Sequence, residues 1–181
     1  MLIKFDNLAN DTYAYGNIFM HEIYPDWSRI KIGVNKEHIS LMLEIAQSWD
    51  GPFGILYVLV VSRAGSKLAR YQSPELSEHK YLAHFANTFK AYFEQDGRHH
   101  IWFIDLTGKS QLVYDNHNLI YSYGNDAKVK ELLIAKGFKE KKVEIPAPHS
   151  HHYHKEFDHA EEEIMRYWDW LEFPLKDRDN P

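Results

Sequence analysis

Apolar residues recur at helical spacing in four places. Over 36–48, Ile39, Met42, Leu43, Ala46 and Trp49 share a face, with Asn35 as N-cap and Asp50-Gly51-Pro52 as the stop. The clearest stripe covers 77–95, through Leu82, Phe85, Ala86, Phe89, Tyr92 and Phe93. His79 and His84 fall off that stripe, which predicts solvated imidazoles. Val129, Leu132 and Leu133 predict a helix over 126–136 that Gly137 caps. Ala160, Ile164, Tyr167, Trp168 and Leu171 line a last helix, which starts at Asp158 and ends at Pro174.

Other segments read as strands. The run from Ile55 to Val61 is apolar on both faces, as a central strand requires. Ile101–Ile104 is a second buried strand. Leu112–Tyr114 and Leu119–Tyr123 flank Asp115-Asn116-His117-Asn118, a hairpin loop whose Asn and Asp tolerate left-handed backbone. Val143–Ile145 is a last strand, stopped by Pro146 and Pro148, while 62–73 reads as a loop. Within 1–34, the least legible part, Tyr13–Gly16 and Ser28–Val34 fit short strands. The expectation is a single α+β domain over 1–181. It has a mixed sheet of about five or six strands with about four helices packed on it. The hairpin demands at least one antiparallel pair.

Charge and composition narrow the function. The net charge is −5 and the basic residues are scattered, so no coherent face awaits nucleic acid. The longest apolar run is far short of the ~20 residues of a membrane helix, and Asp6 and Asp11 interrupt the N-terminus where a signal peptide needs an apolar core. With no cysteine there are no disulfides, thiolate nucleophiles or cysteine zinc ribbons. These features fit a cytoplasmic protein with no membrane partner. Twelve histidines change the picture again, because protonating all of them carries the net charge from −5 to +7.

Four of those histidines lie in PHSHHYHKEFD, Pro148–Asp158. In extended chain His149 and His151 project to one side, His152 and His154 to the other. With Glu156 or Asp158 holding or activating water, imidazoles of this kind suit Zn or another divalent transition metal. The H-x-H-x-D-H pattern would need Asp where Tyr153 stands, and H-E-x-x-H is absent. The alternative is a polar loop whose histidines bond to backbone. Arg98 with His99, in Gly97–Ile101, suits an anionic group, or simply forms a turn into a core strand. Arg63 and Asp105 end two buried strands, where ligands collect in open α/β sheets. No G-x-S-x-G, P-loop or G-x-G-x-x-G is present.

The blocks GRHHIW, VYDNHNLIYSYG, IPAPHSHHYHKEFD and YWDW together resemble a family of uncharacterised bacterial proteins, over roughly residues 50–170. The resemblance implies no activity and transfers no roles. Two readings stay open, and they leave undecided whether the protein is an enzyme. One is a non-enzymatic protein-binding domain, immunity- or inhibitor-like, that presents aromatics to a protein partner. The other is a metal-dependent hydrolase using His149–Asp158.

Overall fold

The computed structural model describes residues 2–7 and 13–179. The fold is α+β, with a larger sheet than the sequence predicts: nine strands among the described residues rather than five or six. In chain order these are β2 (Ile18–Ile23), β3 (Ser28–Gly33), β4 (Phe53–Leu59), β5 (Ala69–Gln72), β6 (His99–Asp105), β7 (Gln111–Tyr114), β8 (Leu119–Tyr123), β9 (Lys139–Glu140) and β11 (Leu171–Phe173). Across the sheet they run β11-β5-β4-β6-β7-β8-β3-β2-β9. All neighbours are antiparallel except β2 and β9. A separate two-stranded ladder joins β1 (Phe5–Asn7) to β10 (His149–His151).

Five helices, α1 (His38–Ala46), α2 (His79–Thr88), α3 (Lys90–Gln95), α4 (Asp126–Ala135) and α5 (Asp158–Tyr167), pack on one face of the nine-stranded sheet. Alternate strand positions feed that core: Phe53, Ile55, Tyr57 and Leu59 of β4, Ile101 and Phe103 of β6, Leu112 and Tyr114 of β7. The opposite face has two partial covers. Leu175 of the C-terminal tail packs on the cluster of Leu56, Val58 and Val60, and Arg70 holds the tail through Asp179 at 2.7 and 2.8 Å. At the other end, Phe5, Tyr15 and Val143 close over Leu119. Strand β4 is buried at all seven positions because both of its faces are covered. Among the described residues no helix is long and apolar enough to cross a membrane.

Several local expectations are corrected. The 77–95 helix is two helices broken at Phe89, where the Thr88 hydroxyl donates back to the His84 carbonyl at 2.8 Å. Its His79 is not solvated, because the ring bonds the Leu43 carbonyl at 2.9 Å. The N-cap of α1 is Glu37, not Asn35, and Glu94 of α3 accepts from the Ile39 amide at 2.8 Å instead. The 62–73 loop contains β5. The last helix ends at Tyr167, since Trp168 turns out to stack on Phe85 at 4.5 Å and 171–173 pairs with β5. Val143–Ile145 makes no ladder, although Val143 is buried, and Tyr13–Gly16 is not a strand. The part of 1–34 at 8–12 lies outside the described residues.

Three histidines are folded into this architecture as neutral rings. Burial pushes His38 down to about 3, His100 to about 4 and His99 well below its ordinary value. The unfolded chain takes up protons near pH 6.5 that the native state refuses, so stability falls as pH drops from 6.5 toward 4. Each ring contributes up to about 1.4 kcal/mol per pH unit. The thermal midpoint is therefore expected to fall steeply between pH 7 and pH 5, and a flat midpoint over that range contradicts this account.

Candidate metal centre

The histidine-rich segment is clamped to the sheet by one buried guanidinium. Arg98, fully buried just before β6, donates from Nε and one terminal nitrogen to Asp96 at 2.8 and 3.0 Å. Its other donors reach Glu161 at 2.7 Å, Asp158 at 3.1 Å and the His154 carbonyl at 2.7 Å. All five N–H groups have acceptors, which is what allows a charge to be buried. Burial opposes its charge, but hydrogen bonds to Asp96 and Glu161 outweigh that and raise its pKa above the ordinary range. Asp96 also accepts from the His154 amide at 2.7 Å, and the His152 carbonyl accepts from Gly97 at 2.9 Å. A Cβ at Gly97 would lie 2.9 Å from the Lys4 carbonyl oxygen and 3.2 Å from the His151 Cβ, so only glycine lets the segment approach this closely.

Upstream of that clamp, β10 pairs with β1, placing His151 opposite Phe5 and His149 opposite Asn7. The strand alternation turns His149 and His151 to the same side, against the hairpin loop between β7 and β8. That loop is shaped by Asp115, whose Oδ1 accepts from the His117 and Leu119 amides at 3.0 and 2.9 Å, and by Asn118 at φ 61. It delivers His117. The three rings stand with centres 4.8 to 5.3 Å apart, steeply inclined to one another, around Phe5.

Each ring commits its Nδ1 elsewhere. His149 bonds the Pro146 carbonyl at 2.8 Å, His151 the Asn116 carbonyl at 3.1 Å, and His117 the Asp115 carboxylate at 3.1 Å. These oxygens can only accept, so Nδ1 carries a proton, and the neutral tautomer so fixed has its lone pair at Nε2. A ligand nitrogen from each ring lies within 4.8 Å of the other two. Three Zn–N bonds of tetrahedral geometry place such nitrogens ~3.4 Å apart, a short contraction from here. The His151 Nε2 is buried with no partner of its own. Burial, then the neighbouring His117 and His149, push His151 down to about 4, so its ring is neutral at neutral pH. Burial works against the Asp115 carboxylate, yet the His117 bond and the Leu119 amide hold its pKa below the ordinary value.

The other sequence candidates lie elsewhere. His152 bonds Asp6 at 2.8 Å and His154 the Ile3 carbonyl at 2.7 Å, both away from the triad. Glu156 is exposed on a short 3-10 turn, and Asp158 binds Arg98 and Arg63. His99 is buried among the rings of Tyr92, Tyr57 and Phe93. Asp105 is a turn residue, accepting from the Thr107 amide and hydroxyl. His117 and its partner Asp115 were visible only as a polar hairpin tip. No local spacing links position 117 to 149.

Beside His117, the uncovered middle of the sheet forms a groove of about 750 Å³. Asp115, Asn116 and His117 form one end, Trp102, Val113 and Tyr121 lie along its floor, and Gln111, Tyr123, Arg29 and Trp27 line it farther along. No family model matches the chain, and comparison with curated proteins and with solved structures finds no match either.

Replacing Arg98 with Met strands Asp96 and Glu161 as buried, unpaired carboxylates. The expected cost is about 3–5 kcal/mol of unfolding free energy, read by urea denaturation. A loss below 1 kcal/mol would remove Arg98 from its role as clamp.

Proposed function

We propose that the chain holds a divalent transition metal, zinc foremost, on His117, His149 and His151, and acts as a metal-dependent hydrolase on a substrate in the adjoining groove. The observation that carries this reading is the commitment of all three Nδ1 atoms to oxygen acceptors. Metal-ligating histidines are oriented in this way, and a ligand nitrogen from each of the three rings lies within 4.8 Å of the other two. Three neutral protein ligands leave a fourth position open, as catalytic zinc sites do. A cation bound there would acidify water and polarise a carbonyl or phosphoryl oxygen. Asp115 would fix the His117 tautomer and strengthen it as a donor.

Metal content measured by mass spectrometry, on untagged protein purified without nickel and exposed to zinc, is expected to approach one ion per chain. It should vanish in the His149→Ala, His151→Ala double variant. A wild type that retains no metal overturns the reading. Asp115→Asn is expected to weaken zinc 10- to 100-fold in competition with a chromophoric chelator. An unchanged affinity would show that the carboxylate does not orient the ligand. Hydrolysis of p-nitrophenyl esters or phosphates should be lost on chelation and restored by zinc.

A second reading draws on the tip of the β2–β3 hairpin, where Tyr24 and Trp27 stack at 4.1 Å and are 40% and 47% exposed beside Ile23 at 74%. Such an apolar tip suits the immunity- or inhibitor-like role and a protein partner. The metal separates the two, since this role predicts no zinc-dependent chemistry.

A further inference from the structure

The triad gives a role to one end of the groove only. The rest of its floor is ordered by strand register. Trp102 is opposite Val113, Val113 opposite Tyr121, and Tyr121 opposite Lys31, so two aromatic rings and a lysine form one row across four strands. Along β7 the floor continues from Asp115 to Gln111, which at strand rise spans ~14 Å. A groove of this volume lies within the range of small-molecule sites.

Its charges are unevenly spent. The two carboxylates lining it are saturated: Asp179 takes both ends of Arg70 and the Lys176 amide, and Asp115 takes His117 and the loop amides. One lining cation, Arg178 on the tail wall, has no carboxylate partner among the described residues and reaches to 6.0 Å from the Trp102 ring. Arg29, paired with Glu22 and Tyr123, adds a second positive group. The buried Trp102 Nε1–H, which can only donate, and the His100 Nε2 have no partners. Unspent positive charge, unspent hydrogen-bonding groups and an aromatic floor all ask for the same occupant.

We propose that this groove binds an elongated aromatic anion, with its ring on the Trp102–Tyr121 floor and its carboxylate or phosphate facing Arg178. Binding needs no metal, because His117 alone of the triad lines the groove and the ligand's ring and anionic group lie on other residues. A ligand laid along it would bring its far end to Asn116 and His117, at the edge of the metal centre.

The test is isothermal titration calorimetry on chelator-treated full-length protein, using 2-naphthoate, 2-naphthyl phosphate and the neutral 2-naphthamide. At least one of the anions is expected to bind saturably and tenfold or more tighter than the amide, and the tighter of the two identifies the anionic group. In an Arg178→Ala variant with an unchanged thermal midpoint, that preference should collapse to within twofold. Arg178→Gln replaces it if its midpoint falls, and should lose at least threefold. The proposal is overturned if the amide binds as tightly as both anions, if nothing binds at millimolar concentration, or if the variants bind like wild type. Metal-free protein keeps the two results apart: anion binding without a zinc site sinks only the hydrolase reading, and zinc without anion binding sinks only this one.

Discussion

Everything at the candidate site hangs on the burial of the Arg98 guanidinium. A charge of that size is costly to remove from water, and it stays in place only because every donor finds an oxygen. Those oxygens come from the end of α3, from the start of α5 and from the backbone at His154. The guanidinium thus joins three chain segments to the residue just before β6. Once 154 is pinned and Gly97 admits 151 and 152, strand alternation in β10 turns His149 and His151 together toward the hairpin loop.

The groove follows from a second constraint, the unequal covering of the sheet. Five helices seal one face. The other face receives only the C-terminal tail at one end and the β1–β10 region at the other. Strand positions beneath a cover are aliphatic, as with Leu56 and Val58 of β4. Positions in the gap are amphipathic, as with His100, Trp102, Tyr121 and Tyr123. Aromatic side chains of that kind bury their rings against neighbours while offering a polar edge to whatever lies above.

Periodicity made the main helices, β4, β6 and the β7–β8 hairpin legible, because each buries a whole face and the pattern records it. It did not reveal β5, β9 or β11. These strands are two to four residues long, and the strand each one pairs with decides its conformation. The same limit applied to the site. Alternation placed His149 and His151 on one side, and β10 does so. The third imidazole comes from position 117, brought close by the pairing of β1 with β10 and the docking of that ladder on the hairpin loop, and neither leaves a trace in local spacing. Arg98 read as a group in search of an anion, and it meets carboxylates of its own chain, whose partners at 158 and 161 no short window contains.

A nine-stranded, mostly antiparallel sheet has two lateral borders, each an array of backbone donors and acceptors that another molecule could extend. Here the outermost strand on each border is short. The outermost strand on one side is Lys139–Glu140, two charged residues long, and on the other it is Leu171–Phe173, with Glu172 at its centre and Pro174 directly after it. So brief a ladder, bracketed by charge and by a residue with no amide proton, gives a second chain little to zip onto. The exposed Leu171 and Phe173 would otherwise make that border a seed for polymerisation, and the architecture holds fibrillar growth in check by keeping its last strands too short to template one.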